Sequence, residues 1–212
     1  MTDAVIVANT FVFLVAGADT VSSTVTFALL CLSQASRLQD RVHQEVKAAI
    51  GHHNGQWTYQ SVKDMVYLDR VIQETLRLYP ITFQLFRVCT EPYQIPDSKV
   101  VIEKGTRITV PIYSIHRDPR YYPAPEEFDP DRFVDNNYKP SGHYLPFGNG
   151  PRNCIGMRFA ILEVKIVLAK ILLEFSVKLN KKTQLPLKYI NSTTTMLTEQ
   201  GIWFDFEKRA NS

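Results

Sequence analysis

The chain has 212 residues, 45% hydrophobic and 21% charged, a size and balance that fit one soluble globular domain, or part of a larger one, with a sizeable core. Its 24 Lys and Arg stand against 21 Asp and Glu, and a net charge of +3 is too small an excess to argue for nucleic acid as a partner. Three cysteines, Cys31, Cys89 and Cys154, lie far apart without a Cys-x-x-Cys pair, which fits neither a disulfide framework nor a structural zinc site and suits a reducing compartment.

Residues 3–35 read as one long helix, largely apolar but interrupted by the polar AGADT at 16–20. Its uncharged run from Ala4 to Ala18 is shorter than the roughly twenty residues a membrane span needs, so a buried core helix is expected there. No signal peptide with a basic start and a small-residue cleavage site is visible. The sequence opens directly in this helix, with no earlier element for it to pack against, which suggests the second half of something larger. Residues 37–50 form an amphipathic helix with Leu38, Val42, Val46 and Ile50 on one stripe. Glycines mark 51–57 as a loop, and a helix from Tyr67 to Tyr79 is stopped by Pro80.

The period then changes. QLFRVCTEPYQI (84–95) and KVVIEKGTRITVPIY (99–113) carry β-branched and aromatic residues between turn signals, predicting short strands and a hairpin about EKGT. From His116 to Pro146 the chain is rich in Pro, Asp and Tyr without a period, a long connection of the kind that is functional when ordered. A long apolar helix follows over 155–175, and the tail from 183 to 206 returns to strand-like pieces.

The chemistry gathers at YLPFGNGPRNCIGMRFA, 144–160. Cys154 stands at the start of the last helix, where free backbone N–H groups and the positive end of the dipole favour a thiolate able to ligate iron. Gly148, Gly150 and Gly156 allow the backbone to approach a planar or bulky ligand. Two other readings exist: a buried structural cysteine, and a phosphate-cradling loop. The second lacks the Gly-Lys-Ser/Thr ending and a clear preceding strand.

Phe147, Gly150, Arg152, Cys154 and Gly156 match the haem-binding loop of the cytochrome P-450 family, Phe-x-x-Gly-x-Arg-x-Cys-x-Gly, at every specified position. ETLR at 74–77 is similar to the family's Glu-x-x-Arg helix motif, with Glu74 and Arg77 on one face. Taken alone it would be an ordinary surface ion pair. FDPDRF at 128–133 resembles the family's meander, whose Arg132 would complete a Glu–Arg–Arg network. AGADT looks like the oxygen groove of the family's long central helix, although a small-residue helix crossing would explain it equally well by itself. There Gly17 leaves room for a diatomic ligand, and Asp19 and Thr20 offer the proton source and hydroxyl that O–O cleavage needs.

The resemblance, which runs from about residue 3 to 206, implies a mainly α fold with small β-sheets: the C-terminal half of the P-450 fold, with residues 1–212 forming part of a single domain. Its N-terminal half and membrane anchor have no counterpart in this sequence. The implied function is a haem-thiolate monooxygenase, inserting one atom of O2 into small hydrophobic substrates such as foreign compounds or endogenous lipophiles. The implied cofactor is haem b, with electrons from NADPH through a reductase and cytochrome b5 as a further partner. The implied location is the cytosolic face of the endoplasmic reticulum membrane. Cys154 would be the axial iron ligand; Arg152 and Arg87 (in LFRVC) would pair with haem propionates. His116, in SIHRDP, is similar to a family segment near the propionates, with a hydrogen-bonded structural histidine as the equal alternative. The other histidines, His43, His52 and His53, read as surface or loop residues. Substrate-pocket segments map to Ile81–Phe86, including Ile81, Thr82, Phe83 and Leu85, and to Ser192–Leu197, with Ala16 and Thr20. A truncated product that is inactive or merely binds haem is the alternative.

Overall fold

The computed structural model of the protein describes residues 2–136, 142–190 and 195–210, Asn136 by its backbone alone. In chain order the elements are α1 (Asp3–Ser33), α2 (Ser36–His52), α3 (Tyr59–Lys63), α4 (Val66–Leu78), β1 (Leu85–Val88), β2 (Tyr93–Gln94), β3 (Val101–Ile102), β4 (Arg107–Val110), α5 (Ile112–Ile115), α6 (Met157–Glu174), β5 (Phe175–Leu179) and β6 (Phe204–Lys208). Two 3-10 segments, Pro130–Asn136 and Gly150–Arg152, punctuate the long connection before α6. The expected mainly α fold with small sheets is what these residues form.

The core lies where α1, α2, α4 and α6 meet. In α4, Leu68, Val71, Ile72 and Leu76 recur at three- and four-residue steps and are buried. From α6, Val164, Leu168, Ala169 and Leu172 meet them; from α2 come Val42, Val46 and Ile50. A buried amide fixes the corner between α1 and α2: Gln39 Nε2 donates to the carbonyls of Leu32 at 3.1 Å and Val177 at 3.0 Å, and its Oε1 accepts from Val177 N at 2.8 Å. His43, read from sequence as a surface residue, is buried instead, with Nδ1 3.0 Å from the Leu172 carbonyl. The α2 stripe is wider than its aliphatic residues alone predicted.

α1 divides in two. Its buried residues begin at Val21, where it packs on α4, α6 and β5. The run 4–18, expected in the core, is exposed: Phe11 is 64% and Leu14 68% accessible. Apolar residues surround this half of the helix on every side, and no described element covers it. By length and composition α1 is also apolar enough to cross a membrane.

The hairpin expected about EKGT takes a different form. β4 pairs with β1, and β3 pairs with β2, both antiparallel, so the chain makes one long broken hairpin whose tip is the turn at 95–100. Asp97 there has φ 57°. EKGT is the break on the return arm, and Gly105, at φ 86°, supplies the left-handed residue it needs. The facing break is held by Cys89, whose Sγ donates to the Glu91 carbonyl at 2.8 Å. α6 begins at Met157 rather than at 155, because the 3-10 turn and the residues after it complete the cysteine loop. It ends at Glu174, where Phe175 turns into β5 against β6.

The N-terminus of α4 has no side-chain cap of its own; α2 provides one. Glu45 accepts from Tyr67 N at 2.6 Å and Leu68 N at 2.8 Å with its two carboxylate oxygens. Glu45→Ala is expected to destabilise the fold by about 0.5–2 kcal/mol, the range for losing a helix cap. Urea denaturation midpoints of the two proteins measure it.

Candidate functional site

α4 projects Glu74 and Arg77 inward, three residues apart, and both side chains are fully buried. Arg77 Nε donates to Glu74 Oε2 at 2.7 Å and Arg77 Nη2 to Oε1 at 2.8 Å, a two-pronged pair. The remaining donors go to the connection after α5: Nη1 to the carbonyls of His116 at 2.9 Å and Pro125 at 2.7 Å, and Nη2 to that of Glu127 at 3.0 Å. All five N–H groups of the guanidinium are therefore used. Glu74 Oε1 also accepts from the Asp129 amide at 2.9 Å.

Arg132 reaches the same pair. Its Nε lies 3.3 Å from Glu74 Oε1, close enough for an ion pair but without hydrogen-bond alignment, while its Nη2 donates to Ala124 O at 2.8 Å. Breaking a buried set of this kind by removing one member costs on the order of 3–5 kcal/mol, because the charge left behind stays desolvated. An outer clamp that sequence reasoning missed grips the same segment: Arg41 Nη1 is 2.8 Å and Arg70 Nη1 3.5 Å from Asp131. Asp131 sits inside the quoted FDPDRF motif, beside Arg132, so its charge was the available signal. The carbonyls of residues 116, 125 and 127 gave none, since any residue type supplies one.

His116 is fully buried, away from any open face. The Leu145 amide donates to Nε2 at 2.8 Å, and Nδ1 stands 3.2 Å from the Arg77 carbonyl. A backbone amide only donates, so Nε2 is unprotonated and Nδ1 carries the hydrogen. Both ring nitrogens are spent on backbone, which corrects the expected approach to propionates: the structure favours the structural alternative. Tyr144 stacks on the imidazole at 5.5 Å, and its hydroxyl donates to Gln73 O at 3.0 Å.

The cysteine loop starts from Leu145. Gly148 N donates to Leu145 O at 3.0 Å, Asn153 N to Gly150 O at 3.1 Å, and Cys154 N to Phe147 O at 2.8 Å. Gly148 and Gly150 have φ of 72° and 78°, where a side chain is strained, and a Cβ on Gly148 would come within 3.7 Å of Leu85 Cδ1. Gly156 differs: it has an ordinary φ of −87° and caps α6, with its Cβ position 4.0 Å from Cys154 Sγ. The Cys154 thiol is exposed. Around it the chain exposes Ile155 (87%) and Phe159 (70%), and Arg152 is exposed in the same loop.

Arg87 is exposed on β1, where its Nη1 donates to Phe86 O at 2.8 Å. On α1, Thr20 Oγ1 donates to Ala16 O at 2.7 Å and Ser22 Oγ to Asp19 O at 3.1 Å. Such bonding to the preceding turn loosens a helix locally, and Gly17 has open space where a side chain would stand. Ala16 and Asp19 are exposed on the open half of the helix.

Of the expected pocket residues, Phe83 lines a cleft of about 360 Å³ with Gln84, Pro111, Tyr113, Ser114, Tyr189, Ile190, Thr195 and Met196. Ile81 is buried in the core, where its carbonyl accepts from Met196 N at 3.0 Å. Thr82 bridges to Thr195, and Leu85 is half-buried in β1. Ser192, Thr193 and Thr194 of the second expected segment lie outside the described residues.

The cytochrome P450 family model matches residues 1–205. The chain belongs to the cytochrome P450 family. It is 45% identical over 205 residues to the protein described as probable cytochrome P450 6a13 of Drosophila melanogaster, covering 95% of this chain and 41% of that protein. Cytochrome P450 9e2 of Blattella germanica is 41% identical over 208 residues, 96% of this chain and 39% of the relative. Cytochrome P450 3A31 of Mesocricetus auratus is 43% identical over 190 residues, 89% of this chain and 37% of the relative. The P450 chain described here thus spans about two fifths of the length of these relatives.

Burial holds His116 neutral and pushes its pKa down to about 4, against its ordinary value near 6.5. The unfolded chain takes up a proton below 6.5 and the folded chain does not until about 4, so stability is complete above 6.5 and is lost as pH falls through that window. By pH 5 the loss is about 2 kcal/mol. The expected result is that urea midpoints of wild type and His116→Gln converge between pH 7.5 and 5.

Proposed function

We propose that this chain carries the haem-binding part of a monooxygenase, with Cys154 as the axial ligand of haem b. The observation that carries this reading is an exposed thiol on a hydrogen-bonded glycine loop, flanked by the exposed apolar side chains of Ile155 and Phe159. Among the described residues no three His, Cys, Asp or Glu side chains group to hold a metal ion. A metal bound at Cys154 would therefore bring most of its ligands with it, and an apolar macrocycle suits the exposed faces of Ile155 and Phe159. The exposed guanidinium groups of Arg152 and Arg87 suit its carboxylate edges. His116 is left out of this set.

When bound, haem supplies the activation of O2 for insertion of one oxygen atom into a C–H bond or double bond. The protein's share is done by its own residues. The backbone that carries the cysteine sulfur is tied down by the Cys154 N–Phe147 O bond. The Thr20 hydroxyl spends its proton on Ala16 O, which leaves its oxygen able to accept a hydrogen bond, and Gly17 lies one turn before it. Asp19, exposed one residue before it, supplies protons from solvent. Substrates are small and hydrophobic, foreign compounds or endogenous lipophiles, and Thr82, Phe83 and Leu85 with Ala16 form part of their pocket. Ile81, buried in the core, supports that wall from behind.

The further parts of the reading come from the family. The chain is the C-terminal part of one domain, and electrons reach it from NADPH through a reductase, with cytochrome b5 as a second donor. It works on the cytosolic face of the endoplasmic reticulum membrane, held by an N-terminal segment of the whole protein.

The test is the optical spectrum of the haem-reconstituted protein, reduced with dithionite under carbon monoxide. A strongly red-shifted Soret band that Cys154→Ser abolishes is the expected result; a free-haem or histidine-like spectrum in the unsubstituted protein refutes the reading. In the complete enzyme, Thr20→Ala should leave O2 consumption running while product per O2 falls roughly tenfold. Unchanged coupling removes Thr20 from proton delivery.

A further inference from the structure

We propose that His116 is a positioning residue for the cysteine loop, fixing the height of Cys154 by gripping the Leu145 amide, an inference that rests on the haem-thiolate reading above. The connection runs through hydrogen bonds joined by short stretches of backbone. Arg77 holds His116 at two places: its Nη1 takes the His116 carbonyl at 2.9 Å, and its own carbonyl faces Nδ1 at 3.2 Å. Nε2 then accepts from Leu145 N at 2.8 Å. Leu145 O accepts from Gly148 N at 3.0 Å, and Phe147 O accepts from Cys154 N at 2.8 Å. Two side chains tie the root of the loop to α4: the imidazole, through the Leu145 amide, and Tyr144, through the Gln73 carbonyl; the imidazole is the one that also meets Arg77 of the ion pair.

The neighbours leave His116 no other task. It is fully buried, Tyr144 stacks on one side at 5.5 Å and Tyr122 meets it edge-on at 6.3 Å, so the ring cannot turn away from Leu145 without displacing an aromatic side chain. Leu145 is itself buried, and without His116 Nε2 its amide would lose this acceptor out of reach of water. The loop could then recover a partner for that amide only by shifting, and the shift would pass to Gly148 and Cys154.

Two near-isosteric variants separate positioning from general stability in the haem-loaded full-length protein. His116→Gln keeps an acceptor near the place of Nε2, while His116→Asn keeps a donor near that of Nδ1 and loses the acceptor. The readout is the ratio of thiolate-type to non-thiolate ferrous carbon monoxide complex. The asparagine variant should lower that ratio at least tenfold or so, and the glutamine variant should recover most of it at a similar thermal midpoint. Equal ratios in the two variants, or a wild-type ratio in the asparagine one, overturn the inference while leaving Cys154 as ligand intact. Absence of a thiolate band in the unsubstituted protein fails the functional reading first and takes this inference with it. If neither variant folds, amide exchange at Leu145 in the unsubstituted protein decides: strong protection supports the grip, and exchange as fast as at exposed loops refutes it.

Discussion

The buried ion pair between Glu74 and Arg77 is the constraint on which the rest of this structure depends. Two desolvated charges are a liability unless every donor and acceptor finds a partner, since the cost of removing them from water exceeds what a lone pair returns. Here the guanidinium spends its donors on Glu74 and on the carbonyls of His116, Pro125 and Glu127. Those carbonyls are twelve residues of chain with little regular structure, and satisfying Arg77 dictates their path. The ion pair is thus less a source of stability than a template for a segment that has no ladder of its own to follow.

That template explains how an exposed thiol can be held firmly. The cysteine loop contributes little burial: Gly150, Arg152, Asn153 and Cys154 are all exposed. Its order comes from its root, where Tyr144 and Leu145 are buried against His116 and α4, and from two glycines whose positive φ sets the turn. A buried root beneath an open loop leaves the apolar side chains of Ile155 and Phe159 at the surface beside Cys154. The exposed apolar half of α1, which carries Gly17 and Thr20, shares that openness.

Much of this was legible in the sequence, and the reasons differ by element. α2 and α4 announced themselves by period, and the Phe-x-x-Gly-x-Arg-x-Cys-x-Gly loop by fixed order, because a glycine at positive φ and a thiol cannot be exchanged for other residues. The Glu74–Arg77–Arg132 set was legible as a motif but not as geometry; ETLR alone has the look of a surface pair. What escaped reading was partner choice. Nothing in EKGT says that β4 will pair with β1 across a nested β2–β3 arm, since both pairings satisfy the same alternation. An apolar run such as 4–18 reads as core whether or not anything covers it. His116 stood evenly between a propionate-side and a structural role because the choice depends on Leu145, twenty-nine residues away and chemically ordinary.

On this view the fully satisfied guanidinium of Arg77, and not merely its positive charge, holds the cysteine loop in place. Arg77→Lys keeps the charge and the burial while removing the fork and most of the carbonyl bonds. The ferrous carbon monoxide spectrum of the haem-loaded Arg77→Lys protein is the direct measurement. Loss of the thiolate-type band is the predicted result; retention of that band at wild-type intensity and thermal stability would show that a buried positive charge alone suffices.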